Sequence, residues 1–268
     1  MGARDAWRTH WPEYLIEAWA LGTFMISAGI VATLLGAPAS PVRDVIPESL
    51  RNAAAGLAMG LTAIALIHSP WGKRSGAHMN PAVTLTFLRL GKTRGWDAAC
   101  FIAAQFVGGT AGVLIVAALF GSAFTDAPVS YATTLPGEHG PWVAFTAEVI
   151  ISALLMWVVL SLSSTARLAP LTGYAAGILV ALYISFESPL SGMSMNPARS
   201  FASAAPAMQW DHFWIYLSAP LLGMLTAAQL HLLMRGARAT GCAKLLHPSN
   251  VRCIHCGHEP TDIERPLP

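Results

Sequence analysis

Two stretches of similar sequence decide how this chain folds: His78-Met79-Asn80-Pro81-Ala82-Val83-Thr84 and Ser194-Met195-Asn196-Pro197-Ala198-Arg199-Ser200. Each stretch places Asn directly before Pro. Asn is a strong helix N-cap, and Pro is tolerated at the first helical position because its missing N–H would be unpaired there anyway. Each stretch therefore predicts that a helix starts at its Asn.

The apolar run that follows each start is short. It extends from Ala82 to Leu90 in the first copy and from Ala198 to Ala205, before Pro206, in the second. A helix of about nine or ten residues is roughly 15 Å long, half of a hydrocarbon core of about 30 Å. Interrupted segments in corresponding positions of two halves are typical of an inverted repeat with a site near the membrane midplane. The two stretches thus predict two half-helices that enter a bilayer.

The composition is that of an integral membrane protein. Of the 268 residues 54% are hydrophobic and 11% are charged, whereas soluble domains carry about 25% charged residues. Segments that are apolar and long enough to span a bilayer occur at about residues 14–36, 50–69, 97–120, 142–164, 170–187 and 213–234. The predicted fold class is an all-α membrane protein with six transmembrane helices and two re-entrant half-helices in an inverted repeat.

The distribution of basic residues predicts the orientation. With six spans both termini share one side, and that side holds all but three of the 16 Lys and Arg residues, Arg238 and Arg265 among them. Only Arg43, Arg51 and Arg199 fall on the other side. By the positive-inside rule both termini are expected in the cytoplasm.

With these motifs the chain resembles the aquaporin or major intrinsic protein family over about residues 12–236. The resemblance implies an aquaporin-like channel domain at 14–236, with halves at about 14–120 and 142–234. A cytoplasmic N-terminus, 1–13, precedes this domain and a cytoplasmic tail, 237–268, follows it.

The resemblance also implies a function. It implies a passive channel in the plasma or inner membrane for water or small uncharged solutes of the glycerol, ammonia or hydrogen peroxide class. It implies a homotetramer in which each subunit has its own pore. The expected partners are water, the solute and the lipid bilayer, with no nucleic acid, no catalytic residue and no required cofactor.

The two motifs are expected to line the pore. The residues concerned are Asn80, Pro81 and Ala82 in the first copy, and Asn196, Pro197 and Ala198 in the second. If the half-helices meet at their N-termini, their dipoles place roughly half a positive charge each at one point. Such a point repels cations and protons and leaves the path open to neutral molecules.

Arg199 is expected at the narrowest point, where a guanidinium presents several donors and a permanent charge. Motif matching places three apolar residues beside it: Met59, Ile184 and Met193. Gly60 competes with Met59 for its place. Water-selective members carry an aromatic residue and a His here, which this chain lacks, whereas glycerol channels carry Asp where Ser200 stands. The subgroup is left open.

Glu17 and Glu148 lie at corresponding depths in the first and fourth spans. An ionisable residue inside a span is a functional candidate by default, for example as a proton relay. In the resembling family such glutamates instead hold the re-entrant loops, whose peptide groups must find hydrogen-bond partners at membrane depth. The structural role is the favoured interpretation.

The tail is rich in Cys and His. Cys253 and Cys256 form a CxxC step, and Cys242 and His258 complete a candidate zinc-ligand set. Cys and His in this pattern can bind zinc, whereas a disulfide is disfavoured in the cytosol. The alternative is a disordered or loosely packed tail.

Two other functions remain open from the sequence. An ion-coupled secondary transporter also uses inverted repeats and broken helices, and it would need a titratable group that faces the substrate path. A membrane enzyme or redox protein would use the Cys/His tail, but no nucleophile with a plausible base and no nucleotide motif accompanies it.

Overall fold

The computed structural model describes residues 2–236 and 240–260. Arg238, Arg265 and the end of the tail from 261 to 268, all predicted to be cytoplasmic, lie outside the described residues. Twelve helices occur in the described part: α1 (Ala3–Gly36), α2 (Pro41–Val45), α3 (Glu48–His68), α4 (Pro70–Ser75), α5 (Pro81–Arg89), α6 (Gly95–Phe120), α7 (Ser122–Thr125), α8 (Pro141–Ser163), α9 (Thr172–Phe186), α10 (Ser188–Ser191), α11 (Pro197–Ala207) and α12 (Phe213–Arg235). Two 3-10 turns lie at Ser130–Ala132 and Ala169–Leu171.

Six helices are long and apolar enough to cross a membrane: α1, α3, α6, α8, α9 with the turn before it, and α12. They coincide with the six segments predicted from hydropathy. Because successive spans run in opposite directions, the start of α1 and the end of α12 lie on one face, here called the terminal face. The opposite face is called the far face.

Helix α1 begins at Ala3, whereas the first span was predicted from residue 14. At 34 residues the helix is about 51 Å long, so it extends well beyond a hydrocarbon core of about 30 Å. A buried network ties this extension to α6: His10 Nδ1 and Tyr14 Oη lie 2.7 Å and 2.6 Å from Asp97 Oδ1. The predicted N-terminal segment 1–13 is therefore continuous with the first span.

The spans pack in pairs that repeat between the two halves. Helix α1 packs along α6 and α8 packs along α12, while α3 packs along α9 across the halves. Glycines make this close approach possible. A Cβ at Gly60 would lie 2.6 Å from Gly177 O, and one at Gly177 would lie 2.7 Å from Gly60 O. Small residues at helix interfaces let backbones approach closely in lipid.

The half-helices α5 and α11 follow the two Asn-Pro steps. Helix α5 ends at Arg89, one residue before the predicted end. Helix α11 continues through Pro206 to Ala207, so the prediction that it stops at Ala205 was wrong. The helix ends instead at Met208, which has a left-handed backbone (φ 53°). Its backbone N–H caps the helix by donating to the carbonyls of Ala204 and Ala205. A proline close to a helix end loses one hydrogen bond without ending the helix itself.

Exposed tryptophans mark the two ends of the spans. Trp71 and Trp96 lie near the terminal face, and Trp142 and Trp214 lie near the far face, all four exposed. Tryptophan is enriched at both membrane–water interfaces, where its ring is partly apolar and partly polar. Between these levels the outward residues are apolar, as Leu61 and Val107 illustrate.

The helix contacts give a prediction for Gly108→Ala. The added Cβ would meet the backbone carbonyl of Ala18 in α1, and overpacking of this kind costs about 1–3 kcal/mol. We expect a lower thermal unfolding midpoint of the detergent-solubilised protein. Gly95→Ala is the matched control, because a Cβ there meets nothing within 4 Å. Equal midpoints for the two variants would contradict the close packing of α1 against α6.

Candidate functional site

The loops before α5 and α11 have the same backbone shape. In the first, Ala77 and Met79 have φ of 53° and 50°, and in the second, Met193 and Met195 have φ of 52° and 53°. Left-handed conformations of this kind are costly for residues other than Gly and persist only where surrounding contacts impose them. Contacts with the surrounding structure therefore impose the backbone conformation of the two loops.

Glu17 of α1 supplies those contacts to the first loop. Its Oε1 accepts hydrogen bonds from Ser75 Oγ (2.8 Å) and the His78 backbone N–H (3.0 Å). Its Oε2 accepts from the Met79 N–H (2.7 Å) and from Gln105 Nε2 (2.9 Å). The carboxylate is fully buried. A single side chain therefore pairs two consecutive backbone N–H groups, those of His78 and Met79, that no helix satisfies.

Glu148 of α8 does the same for the second loop. Its Oε1 accepts from Ser191 Oγ (3.0 Å) and the Ser194 N–H (2.6 Å), and its Oε2 accepts from the Met195 N–H (2.7 Å). Tyr216 of α12 adds a hydrogen bond from its hydroxyl to Ser191 O (2.6 Å). Each glutamate thus accepts hydrogen bonds from the loop that precedes one of the two half-helices.

The two loops join through their asparagines. Asn80 Nδ2 donates to Met195 O (2.6 Å), and Asn196 Nδ2 donates to Met79 O (2.7 Å). Each Oδ1 caps its own helix, with Asn80 accepting from the Ala82 N–H (2.8 Å) and Asn196 from the Ala198 N–H (3.1 Å). The starts of α5 and α11 therefore meet tip to tip.

A cavity of about 650 Å³ passes these tips. Both asparagines line it, together with one face of α3 formed by Asn52, Ala55 and Met59. Gly60, the competing choice for the constriction, faces α9 instead. Side chains at both ends of the spans line the same cavity, from Arg51 near the far face to Leu245 of the tail at the terminal face.

All four predicted constriction residues line this cavity: Met59, Ile184, Met193 and Arg199. The Arg199 guanidinium is fixed by the segment between the halves, because its Nη1 donates to Ala132 O (3.0 Å) and to Thr134 Oγ1. The other three side chains are apolar. One side of the lining therefore carries a fixed charge and the others offer no hydrogen bonds.

The match to known proteins agrees with this geometry. The family model described as "Major intrinsic protein" matches residues 7–231. The chain belongs to the major intrinsic protein family. Among curated relatives it is 35% identical over 177 residues to "Putative aquaporin NIP4-1" of Arabidopsis thaliana, which covers 66% of this chain and 60% of the relative. It is 34% identical over 180 residues to "Aquaporin NIP1-2" of Oryza sativa subsp. japonica, covering 66% and 58%.

This chain thus spans about 60% of the length of the curated relatives that it matches. The fold is also that of a solved family structure, "X-ray structure of the aquaglyceroporin from Plasmodium falciparum". The two share a TM-score of 0.70 at 18% identity, over 86% of this chain and 99% of the other. As a member of the major intrinsic protein family, the chain is a multi-pass membrane protein.

The tail of this family member folds back onto the terminal face. Ala243 is fully buried and Lys244 and Leu245 are nearly so. His78, two residues before Asn80, donates from Nε2 to Ala243 O (2.7 Å), and the Leu245 N–H donates to Gly76 O (3.2 Å). The tail therefore contacts the loop that carries the first motif.

Four potential metal ligands of the tail lie together: Cys242, His247, Cys253 and Cys256, with their ligand atoms all within 4.8 Å of one another. His247 replaces the predicted His258. In the turn after Cys256, the Cys253 N–H donates to His258 O (2.9 Å). The His258 ring donates from Nε2 to Ser249 O (2.5 Å). The clustered set therefore differs from the predicted one in its histidine.

Several residues of the site were missed by the sequence analysis. Ser75 and Ser191 occupy equivalent places, and the signal was present in the sequence. Ser-Gly precedes both motifs, so the repeat is longer than the two stretches quoted at the start. Gln105 and Thr134 had no such signal, since they come from a span and a connector far away in the chain. Their roles follow only from packing.

The loop contacts predict the effect of Glu148→Gln. The amide keeps one acceptor oxygen and turns an NH₂ group toward backbone donors, so at least one buried N–H loses its partner at a cost of about 1–3 kcal/mol. We expect a lower unfolding midpoint and lower solute flux in proteoliposomes. Glu17→Gln should behave alike, while Glu138→Gln, at an exposed site, should change neither. Unchanged midpoints for both buried variants would contradict the loop-holding role.

Proposed function

We propose that this protein is a passive channel for water and small uncharged solutes that excludes ions and protons. The observation that carries the proposal is the meeting of two half-helix N-termini, with Asn80 and Asn196 hydrogen-bonded to the opposite loops and lining one cavity. Channel activity is also what the names of the aquaporin relatives state for those proteins.

The exclusion of charge follows from fixed dipoles. Each half-helix directs a positive end of roughly half a charge at the same point. Each asparagine amide has two N–H donors, of which one is used between the loops, so the second is available to an acceptor oxygen in the cavity. A neutral solute with such an oxygen is accepted there, whereas a cation loses hydration that nothing replaces.

The selectivity constriction in this proposal consists of Met59, Ile184, Met193 and Arg199. Methionine side chains are flexible and adapt to different occupants. Arg199 orients a solute and repels cations, since its charge is permanent. An opening that is apolar on three sides suits solutes of the glycerol, ammonia or hydrogen peroxide class in addition to water.

An ion-coupled transporter is the less favoured function. Glu17 and Glu148, the acids on which it would depend, are buried among loop donors. Neither is among the residues that line the cavity in the described part of the chain. A flux driven by a proton or sodium gradient would favour the transporter.

The assembly and location are proposed on the family relationship and the charge pattern. We propose a homotetramer with one pore per subunit, in the plasma or inner membrane, with the terminal face in the cytoplasm. Passage itself needs no cofactor. The Cys/His cluster of the tail is proposed to hold a zinc ion.

Flux measurements test the channel and its constriction together. We expect stopped-flow light scattering on proteoliposomes to show faster water and small-polyol exchange than empty vesicles show. Met193→Ala and Arg199→Val should admit larger neutral solutes several-fold faster, because both remove bulk from the lining.

Leu57→Ala is the matched control, since Leu57 is an exposed residue of α3 outside the cavity lining. It should leave the solute profile unchanged. No acceleration of either water or polyol flux over empty vesicles would contradict the channel function.

A further inference from the structure

The four clustered side chains have the dimensions of a zinc site. In a tetrahedral site Zn–S is about 2.3 Å and Zn–N about 2.0–2.1 Å, so ligand atoms lie roughly 3.5–3.8 Å apart. Here Cys242 Sγ lies 3.3 Å from Cys253 Sγ, and His247 Nε2 lies 3.2 Å from Cys256 Sγ. With every separation below 4.8 Å, one ion reaches all four atoms after small side-chain movements.

The backbone of the CxxC step is shaped to present two sulfurs to one point. The Gly257 N–H donates to Cys253 O (3.0 Å), which closes a tight turn over residues 253–257. Gly257 takes a left-handed conformation (φ 75°) that favours glycine. The Cys253 N–H is bonded to His258 O, so the chain returns past the first cysteine.

The charges around the cluster also suit a metal. Three thiolates and one neutral imidazole on Zn²⁺ carry one net negative charge. Lys244 lies between two of the ligands in sequence and is almost fully buried, with its Nζ donating to Arg252 O (2.8 Å). A buried ammonium is costly unless a negative group is near, and a zinc-thiolate centre would be such a group.

The segment has little else to hold it in shape. Residues 240–260 contain no helix or strand in the described part. Few apolar side chains of the segment are buried, chiefly Ala243, Leu245 and Ile254. Short segments without a core of their own usually need a disulfide or a metal to fold. The cysteines are free thiols, so no disulfide holds the segment, and a metal would add to its contacts with the membrane domain.

The cluster is attached to the membrane domain through His255. This residue lies between the two cysteines of the CxxC step, and its Nε2 donates to Ser75 O (3.0 Å). Its ring stacks on that of His78 with centroids 5.4 Å apart. His255 therefore anchors the CxxC step to the loop before α5.

We propose that Cys242, His247, Cys253 and Cys256 bind one Zn²⁺ ion, and that this ion holds residues 240–260 as a cap on the terminal-face mouth of the cavity. The cap places Leu245 in the cavity lining and Ala243 on His78, next to the first motif. Loss of zinc releases the cap and widens this mouth. The effect on flux rests on the proposed channel function, whereas zinc binding does not.

Zinc content of the purified full-length protein tests the binding site. Elemental analysis should find about one zinc per chain, and the double variant Cys253→Ser/Cys256→Ser should retain at least about tenfold less, since even outer-shell changes cost 10–100-fold in affinity. Cys100→Ser, in α6, is the matched control and should keep the metal. The site would be overturned if the wild-type protein held no zinc after equilibration with a zinc buffer. It would also be overturned if the double variant held as much zinc as the wild-type protein.

Chelation tests the cap. Removal of zinc from proteoliposome-reconstituted protein should raise solute flux several-fold and expose residues 240–260 to protease. Leu245→Ala should raise flux in the zinc-loaded form without changing zinc content. If flux and cleavage are the same with and without zinc, the cap is overturned. Absence of flux in every form would contradict the channel, and zinc content and cleavage would still decide the proposal.

Discussion

The structure depends on the pairing of backbone donors by two buried carboxylates. At bilayer depth no water is present to bond an open peptide N–H, and each unpaired group costs several kcal/mol. In the two non-helical loops, Glu17 and Glu148 each accept from two consecutive N–H groups. A charge inside a span is costly, and here it is offset by four and three hydrogen bonds respectively.

From this pairing the rest of the site follows. The glutamates set the loop backbones, the loops set where Asn80 and Asn196 lie, and the asparagines join the halves through the carbonyls of Met79 and Met195. The half-helix ends are thereby fixed at one point of the cavity. The direction of their dipoles is then a property of the scaffold.

The two halves share this scheme but differ at their outer ends. On the far face Arg199 is tied to Thr134 of the connector, which holds a permanent charge in the lining. On the terminal face the corresponding place is covered by the tail, through His78 and Ala243. The cavity is thus lined by an arginine near the far face and by a residue of the tail at the terminal face.

Much of the architecture could be read from local sequence. Asn-Pro steps and apolar segment lengths depend on interactions close along the chain or on the thickness of a bilayer, so they determined six spans and two half-helices. The loop-holding role of Glu17 and Glu148 came instead from the family resemblance, because their hydrogen-bond partners lie far away in the chain. The end of α11 was misjudged at Pro206, because a proline near a helix end does not terminate it. Only the tertiary structure shows that Met59 and not Gly60 lines the cavity, what Thr134 and Gln105 contact, and that His247 and not His258 lies beside the three cysteines. These depend on which face of a helix or turn meets a partner distant in the chain, and the spacing of residues along one chain does not contain that information.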